Sequence, residues 1–367
     1  MIKFLITTIF ITVSCFAEPI THTVFFKLKH ASGSPEALRF YAEAQKLSKI
    51  PGVEDFRWVE ETSAKNQFDY GLTMQFADQS AYDFYNAHPV HVRFVEEVWI
   101  PNVLDFKEVD WVSDSWKTLL DSELSKWEVW TGVPHESVVG LPAGVVGQPD
   151  VTNGVPIGKG DPLGLFSVDE EGDELILKVT GQVYAGLTSL ESFSDYHLTL
   201  EVKWGSQKWE PRLQAKRDSG LLYHCYGEHG SFWNVWKSCL ELQIQEGDMG
   251  DLFQLAGPRS SFTADSDNVW DPSAKLIGHG GRVIRSADNE SPYGEWTRID
   301  LFVLADRAVH VVNGDVVLVL QDAKDDLGNP LIEGQLQLQS EAAEVYYRDI
   351  RIRPIRSFPE DYSRYFK

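Results

Sequence analysis

Cys239-Leu-Glu-Leu-Gln-Ile-Gln245 reads as a strand with two characters. Glu241, Gln243 and Gln245 share one face by the two-residue period, and Leu242 and Ile244 share the other. The polar face suits a groove; the apolar face suits a core. Just upstream, Ser219 to Cys225 forms a second strand, with His224 near its end and Tyr223 and Cys225 pointing the other way. If these strands pair, His224 comes near Glu241. The same alternation runs through Leu175, Leu177 and Val179, and through Tyr196, Leu198, Leu200, Val202 and Trp204. It returns in Trp296 to Leu304, Gln335 to Gln339 and Val345 to Arg353. Asn313-Gly314 splits Ala308 to Leu320 into a hairpin. Many short strands without intervening helices predict an all-β sandwich or barrel over residues 127–356, with 357–367 as a tail.

Residues 20–111 read differently. His22, Val24, Phe26 and Leu28 share a strand face. Ser34-Pro35 starts a helix with the stripe Leu38, Tyr41, Ala44 and Leu47, and Pro51-Gly52 ends it. Val53 to Val59 and Tyr70 to Phe76 are strands, Asp78 caps a second helix that resumes after Pro89, and Val103 to Val109 closes the unit. The order β-α-β-β-α-β is the ferredoxin-like split unit. Apolar residues on both strand faces, with Phe25 on the second, predict a sheet that hides its free face by pairing with a second copy. Residues 112–126 read as a polar, amphipathic joint, and the Gly-, Pro- and Val-rich 131–165 as a long surface loop.

The chain carries 33 Lys and Arg against 55 Asp and Glu, a net charge of −22. With no compensating basic patch, nucleic acid is excluded as a partner, and anionic membranes are disfavoured. Gly and Pro together make up 45 of 367 residues, which excludes collagen-like and long disordered tracts, and 43% hydrophobic with 24% charged residues fits an ordinary globular protein. Phe4 to Phe16 is uncharged and mostly apolar, too short for a membrane span but suited to a signal peptide. Cleavage after Ala17 is expected, placing the protein in the periplasm or outside the cell. A lipoprotein anchored at Cys15 is the alternative. In such a compartment Cys225 and Cys239 either form a disulfide or remain buried thiols.

Two resemblances follow. His22-Thr-Val-Phe-Phe-Lys-Leu28, Pro51-Gly52-Val53, and Tyr85-Asn-Ala-His-Pro-Val-His91 with Phe94-Val95 resemble a stress-responsive α/β-barrel (Dabb) domain. That resemblance implies a homodimer formed through sheet faces and a small cavity between sheet and helices. Some relatives use a His there, so His22, His88 and His91 are candidates. The alternative is that His88 and His91 shape a helix start and His22 is a satisfied strand residue. Further on, Gly186-Leu-Thr-Ser-Leu-Glu-Ser-Phe-Ser-Asp-Tyr-His-Leu198, Lys216-Arg-Asp-Ser-Gly-Leu-Leu-Tyr-His224, Glu241-Leu-Gln-Ile-Gln-Glu-Gly-Asp248, Gly294-Glu-Trp-Thr-Arg-Ile-Asp300 and Tyr347-Arg-Asp-Ile-Arg-Ile352 resemble the 3-keto-disaccharide hydrolase domain. This implies a concanavalin/lectin-like (jelly-roll) sandwich with a concave saccharide face. Lys-Arg-Asp-Ser-Gly departs from the family's commoner Asn-Ser-Gly at Asp218.

The second resemblance implies a reaction. A glycoside oxidised at C3 has an acidic C2 proton. Its removal gives an enolate, the C1 leaving group departs by β-elimination, and water adds back. The site needs a base near C2, a group that polarises the ketone, and an acid for the leaving oxygen. Candidates are Glu241, His224, Asp218 and Arg217 for catalysis, with a surface salt bridge to Asp218 as the alternative role for Arg217. Gln243, Gln245, Tyr223, Trp233 and Trp236 are candidates for holding saccharide; Trp209 and Trp270 offer further rings. Glu246, Asp248 and Asp251, with Gly247 and Gly250 between them, form either a Ca²⁺ or Mn²⁺ loop or a tight solvated turn. A non-catalytic, lectin-like saccharide binder is the alternative from another class.

Overall fold

The computed structural model describes residues 19–62, 65–112, 116–172 and 174–366. The expected signal peptide, residues 1–17, lies outside them. The chain divides into two compact units, with the boundary in the sequence between residues 115 and 116.

The first unit holds β1 (Ile20–Leu28), α1 (Pro35–Ala44), β2 (Glu54–Glu60), β3 (Tyr70–Phe76), α2 (Gln79–Ala87), α3 (Pro89–Arg93) and β4 (Val103–Val112). Its antiparallel sheet runs β2-β3-β1-β4. The caps are local chemistry: Ser34 Oγ accepts from Ala37 N–H at 3.2 Å, and Asp78 Oδ1 from Ala81 N–H at 2.7 Å. Phe26, Phe40, Leu47, Leu72, Met74, Phe76 and Phe94 fill one core on the helix side. Register explains why: Val24 lies opposite Leu72 and Phe26 opposite Tyr70, so both strands' apolar rows face the same way. The other face is therefore mixed rather than apolar, with Thr21, Thr23 and Phe25 opposite Gln75, Thr73 and Gly71.

The second unit begins with β5 (Lys117–Thr118), β6 (Trp127–Thr131), β7 (Gly158–Lys159), β8 (Phe166–Glu171), β9 (Glu174–Val179) and β10 (Ala185–Phe193). It continues with β11 (Tyr196–Lys208), β12 (Asp218–Tyr226), β13 (Ser238–Gln245), β14 (Leu252–Leu255), β15 (Arg259–Thr263) and β16 (Leu276–His279). β17 (Thr297–Leu304), β18 (Arg307–Val312), β19 (Asp315–Lys324), β20 (Gly334–Ser340) and β21 (Ala343–Pro354) complete it. One sheet runs β14-β13-β12-β20-β10-β6-β7. The other runs β16-β15-β19-β18-β17-β11-β21-β9-β8, with β5 also paired to β21. Leu221, Leu240, Leu242 and Ile244 from the first sheet meet Leu198, Leu200, Ile299 and Val311 from the second in one buried core. This is the expected sandwich.

Three segments contribute more to the sandwich than their spacing suggests. The joint at 112–126 is largely part of the sandwich: β5 pairs with β21, Leu119 and Leu120 enter the core, and Trp127 Nε1 donates to the Leu119 carbonyl at 2.9 Å. Its apolar residues had a core to join. The C-terminal tail also packs down, with Phe358 buried and Tyr362 edge-on to Phe302 at 5.2 Å. The stretch 131–165 contains the end of β6 and all of β7, and buries Val133 and Val151 while exposing Val139, Val146 and Val155.

A candidate active site on the polar face of the seven-stranded sheet

Strand register builds the site. Asp218, Gly220 and Leu222 of β12 lie opposite Gln245, Gln243 and Glu241 of β13. On the other side of β12, Leu222 lies opposite Gln337, and Asp218 bridges to Glu341. Gln335, Gln337, Gln339 and Glu341 continue one period-two row, so the polar residues of three strands share one face.

Asp218-Ser219-Gly220 now has a physical meaning. Ser219 points into the sandwich, where its Oγ meets the Gln339 carbonyl at 2.7 Å and the Tyr347 hydroxyl at 2.6 Å. Gly220 is a clearance: a Cβ there would collide with Glu241 Oε1 and Gln339 Oε1, which converge above it. Asp218 accepts from Gln245 Nε2 at 2.5 Å and pairs with Arg212 Nη2 at 2.5 Å. Arg212 Nη1 also lies 3.6 Å from Glu341 Oε1, and the Tyr184 hydroxyl sits beside the guanidinium.

Asp218, Glu241 and Glu341 are all buried; the Arg212 guanidinium pairs with Asp218 and lies near Glu341, while Glu241 has no cationic partner among the described residues. Burial lifts the Asp218 carboxyl to about 7, against the pull of Arg212 and Gln245. Burial also pushes Glu241 and Glu341 well above the usual carboxylate range, and the Asp218 charge pushes them further. One positive charge cannot hold three buried negatives, so the cluster keeps protons near neutrality. Asp218 Oδ1, Gln243 Oε1, Gln339 Oε1 and Arg212 Nε are buried with no hydrogen-bond partner among the described residues. Orphaned polar atoms gathered in one place mark the seat of a polar ligand.

Of the predicted residues, the structure brings together Glu241, Asp218, Gln243 and Gln245. Others lie elsewhere. A bulge between Tyr223 and Tyr226 shifts His224 out of phase, and Glu241 faces Leu222 instead. His224 adopts φ +50°, and its ring faces the backbone of Ala305 and Glu333. Burial drives its imidazole down to about 4. Tyr223 is a core residue, its hydroxyl 2.9 Å from His310 Nε2. Trp236 is buried and donates Nε1 to the Ala185 carbonyl at 3.2 Å, and Trp270 is in the main core. Trp233, in contrast, is 39% exposed. Arg217 pairs with Glu246 rather than Asp218, 3.2 Å from both oxygens, and lies 4.5 Å over Tyr293.

The Glu246/Asp248/Asp251 turn does not fit a cation. Arg282 and Arg285 bind Asp251 at 2.6 and 3.1 Å, Lys216 binds Asp248 at 2.7 Å, and Arg217 takes Glu246. Every carboxylate there already has a positive partner. Cys225 and Cys239 are free, buried thiols beside Leu222, Val235 and Trp236.

In the first unit, His22 and His91 line a cavity of about 420 Å³ with Tyr85, Asn86 and Glu108. His22 Nδ1 lies 2.6 Å from Asp110 Oδ1, and the Tyr82 hydroxyl donates to Asp110 Oδ2 at 2.9 Å. Burial lowers the His91 imidazole below its ordinary value. His88 instead caps α3, accepting from Val90 N–H at 3.2 Å.

Sequence reasoning missed Arg212, Glu341, Gln339 and Tyr184. Glu341 and Gln339 were within reach, because the row Gln335, Gln337, Gln339 extends by one period to Glu341. Arg212 lies in the irregular segment 209–217, where no periodicity places a side chain.

Residues 115–353 match the 3-keto-alpha-glucoside-1,2-lyase-like domain. The chain belongs to that family. Residues 20–113 match the Stress Responsive A/B Barrel Domain. No curated protein matches the chain. Among solved structures, a Dabb family protein with a ferredoxin-like fold from Mesorhizobium loti MAFF303099 is 48% identical, over 26% of this chain and 97% of that one, with a TM-score of 0.26. A protein named as a putative glycosyl hydrolase from Parabacteroides distasonis ATCC 8503 is 15% identical, over 66% of this chain and 95% of that one, with a TM-score of 0.40. A dimeric ferredoxin-like protein of unknown function from Thermobifida fusca YX is 17% identical, over 26% of this chain and 92% of that one, with a TM-score of 0.24. Membership of the lyase-like family makes the larger unit a glycoside-active enzyme domain.

Proposed function

We propose that the larger unit cleaves 3-keto-glycosides by elimination and rehydration at the Asp218/Glu241/Glu341 cluster. The observation that carries this reading is three buried carboxylates with a single guanidinium among them, which pairs with Asp218 and lies near Glu341. Such a cluster holds an ionised carboxylate and a protonated one side by side, the pair that acid–base catalysis needs. Asp218, lifted to about 7 and open at Oδ1, takes the C2 proton. The electron pair moves into the C2–C3 enolate, whose oxygen Arg212 stabilises. The enolate collapses, C1=C2 forms and the C1–O bond breaks. Glu241, kept protonated by burial, gives its proton to the leaving oxygen. Water then adds, hydroxyl at C1 and a proton at C2, which restores the 3-keto sugar. Glu341 sets the charge of the cluster through Arg212.

The test is turnover of 3-keto-trehalose in D₂O, followed by proton NMR. Elimination and rehydration put deuterium at C2 of the released 3-keto sugar, beyond a no-enzyme control. Release without deuterium means direct hydrolysis. No release, with saccharide still bound, means a lectin-like binder. The reading also places the protein outside the cytoplasm, on the apolar stretch 4–16, and pairs it as a homodimer through the first unit's sheet. Sedimentation of the full chain checks the second point; a monomer would refute it.

A further inference from the structure

Trp233 is the largest side chain among the described residues with left-handed backbone, at φ +52°, and Asn234 follows at φ +60°. Val235 N–H donates to the Phe232 carbonyl at 3.1 Å, and Phe232 and Trp236 exchange backbone bonds at 2.9 and 3.0 Å. Trp233 and Asn234 are therefore the central pair of a tight turn that demands positive φ at both positions. Asn tolerates this conformation; an indole-bearing residue does not favour it. Such strain persists only where the surroundings enforce it, and it concentrates at functional sites. Here the enforcement is visible. Asn234 Nδ2 donates to the Thr152 carbonyl at 3.3 Å, Trp130 Nε1 donates to the Asn234 carbonyl at 3.1 Å, and Val235 and Trp236 are buried.

What the locked turn presents is an indole. Its ring stacks on Phe232 at 4.7 Å and on Tyr184 at 6.4 Å, and it remains 39% exposed. Tyr184 in turn lies against Arg212, with Asp218 and Glu341 beside it. The indole thus stands one aromatic ring away from the carboxylates, too far to serve the reacting ring and placed to serve its neighbour. Pyranose C–H faces are apolar and stack on indoles.

Resting on the function proposed above, we infer that Trp233 forms the subsite for the leaving group, selecting glycosides whose leaving group presents a flat apolar face. A pyranose unit qualifies; a small alkyl group does not. The comparison is wild type against W233G, with 3-keto-trehalose and methyl 3-keto-α-glucoside as substrates. Glycine accepts positive φ, so the turn survives and the melting temperature stays level or rises. On the order of a tenfold loss in kcat/KM is expected for the disaccharide, mostly in KM, with the methyl glycoside within about twofold. Equal losses on both substrates would place Trp233 under the reacting ring and overturn the assignment. A drop in melting temperature with KM unchanged would make it a packing residue. If wild type turns over neither substrate, the proposed reaction fails, and calorimetric titration with trehalose still decides the subsite. Weaker binding by W233G keeps it; equal binding, or none by wild type, removes it.

Discussion

Two groups of three carboxylates lie close together in the sequence or the sheet, and they are opposites. Glu246, Asp248 and Asp251 are met by Arg217, Lys216, Arg282 and Arg285. Of Asp218, Glu241 and Glu341, the first and last are met by Arg212 and Glu241 by no cation among the described residues. Asp251 is as deeply buried as any member of the second group, so burial alone does not separate them. The ratio of cations to carboxylates does. Compensated acids hold a turn together. Under-compensated acids store protons at a cost to stability, which is the mark of a working site.

The largest expected effect tests that contrast directly. Glu241→Gln keeps the shape of Glu241 but cannot release a proton to the leaving group. Turnover of a 3-keto-glycoside should fall by roughly 10²–10⁴-fold. The melting temperature should rise at neutral pH, because an ionisable group is removed from a place where ionisation is penalised. Asp251→Asn should behave in the reverse manner. It leaves Arg282 and Arg285 without their shared buried anion and should cost roughly 3 kcal/mol in urea unfolding, with kcat preserved for the folded fraction. If Asp251→Asn abolished turnover while Glu241→Gln left it intact, the two groups would have been assigned the wrong way round.

The pH dependence sharpens the same comparison. The Asp218 carboxyl is raised from 3.8 to about 7 on folding, so its contribution to stability is complete below 3.8 and is lost as pH rises through 7. His224 and His310 have the opposite sign. Each is lowered from 6.5 to about 4 by burial, so their contribution is present above 6.5 and is lost as pH falls toward 4. The two trends cancel in part between pH 4 and 6.5. Asp218→Asn should therefore gain on wild type as pH rises from 5 to 8, by roughly 1–3 kcal/mol in urea unfolding. A difference that stays flat with pH would mean that Asp218 is ionised throughout and well compensated.

How much of this was legible depends on periodicity. The polar row Glu241, Gln243, Gln245 and the hairpin at Asn313-Gly314 follow from spacing alone, because strands alternate strictly. The split unit at 20–111 was legible for the same reason. β10 was missed as a strand because its register shifts between Thr188 and Ser192, which breaks the alternation. His224 was misplaced by the same kind of event, a bulge that one sequence does not announce. Arg212 reaches the site from irregular chain, and Tyr184 precedes β10 by one residue. Charge partners across strands far apart in sequence, such as Asp251 with Arg285, decide whether an acidic turn holds a cation, and spacing does not reveal them.

The smallest expected effect falls on Arg217, the residue the sequence put forward to polarise the ketone. Its guanidinium is taken up by Glu246, by the Gly205 carbonyl at 3.1 Å and by the Tyr293 ring. Glu246 is partly exposed, so water competes for this pair. Arg217→Gln should then cost no more than about 1 kcal/mol in stability, less at high salt, and leave kcat/KM within about twofold. Arg212→Gln removes the only cation paired with buried Asp218 and Glu341 among the described residues and should cost far more activity than Arg217→Gln. The two arginines lie five positions apart on the same connection into β12, so general disturbance of that segment would affect both variants alike. Equal losses would point to such disturbance, and a larger loss at Arg217 would return the ketone-polarising role to it.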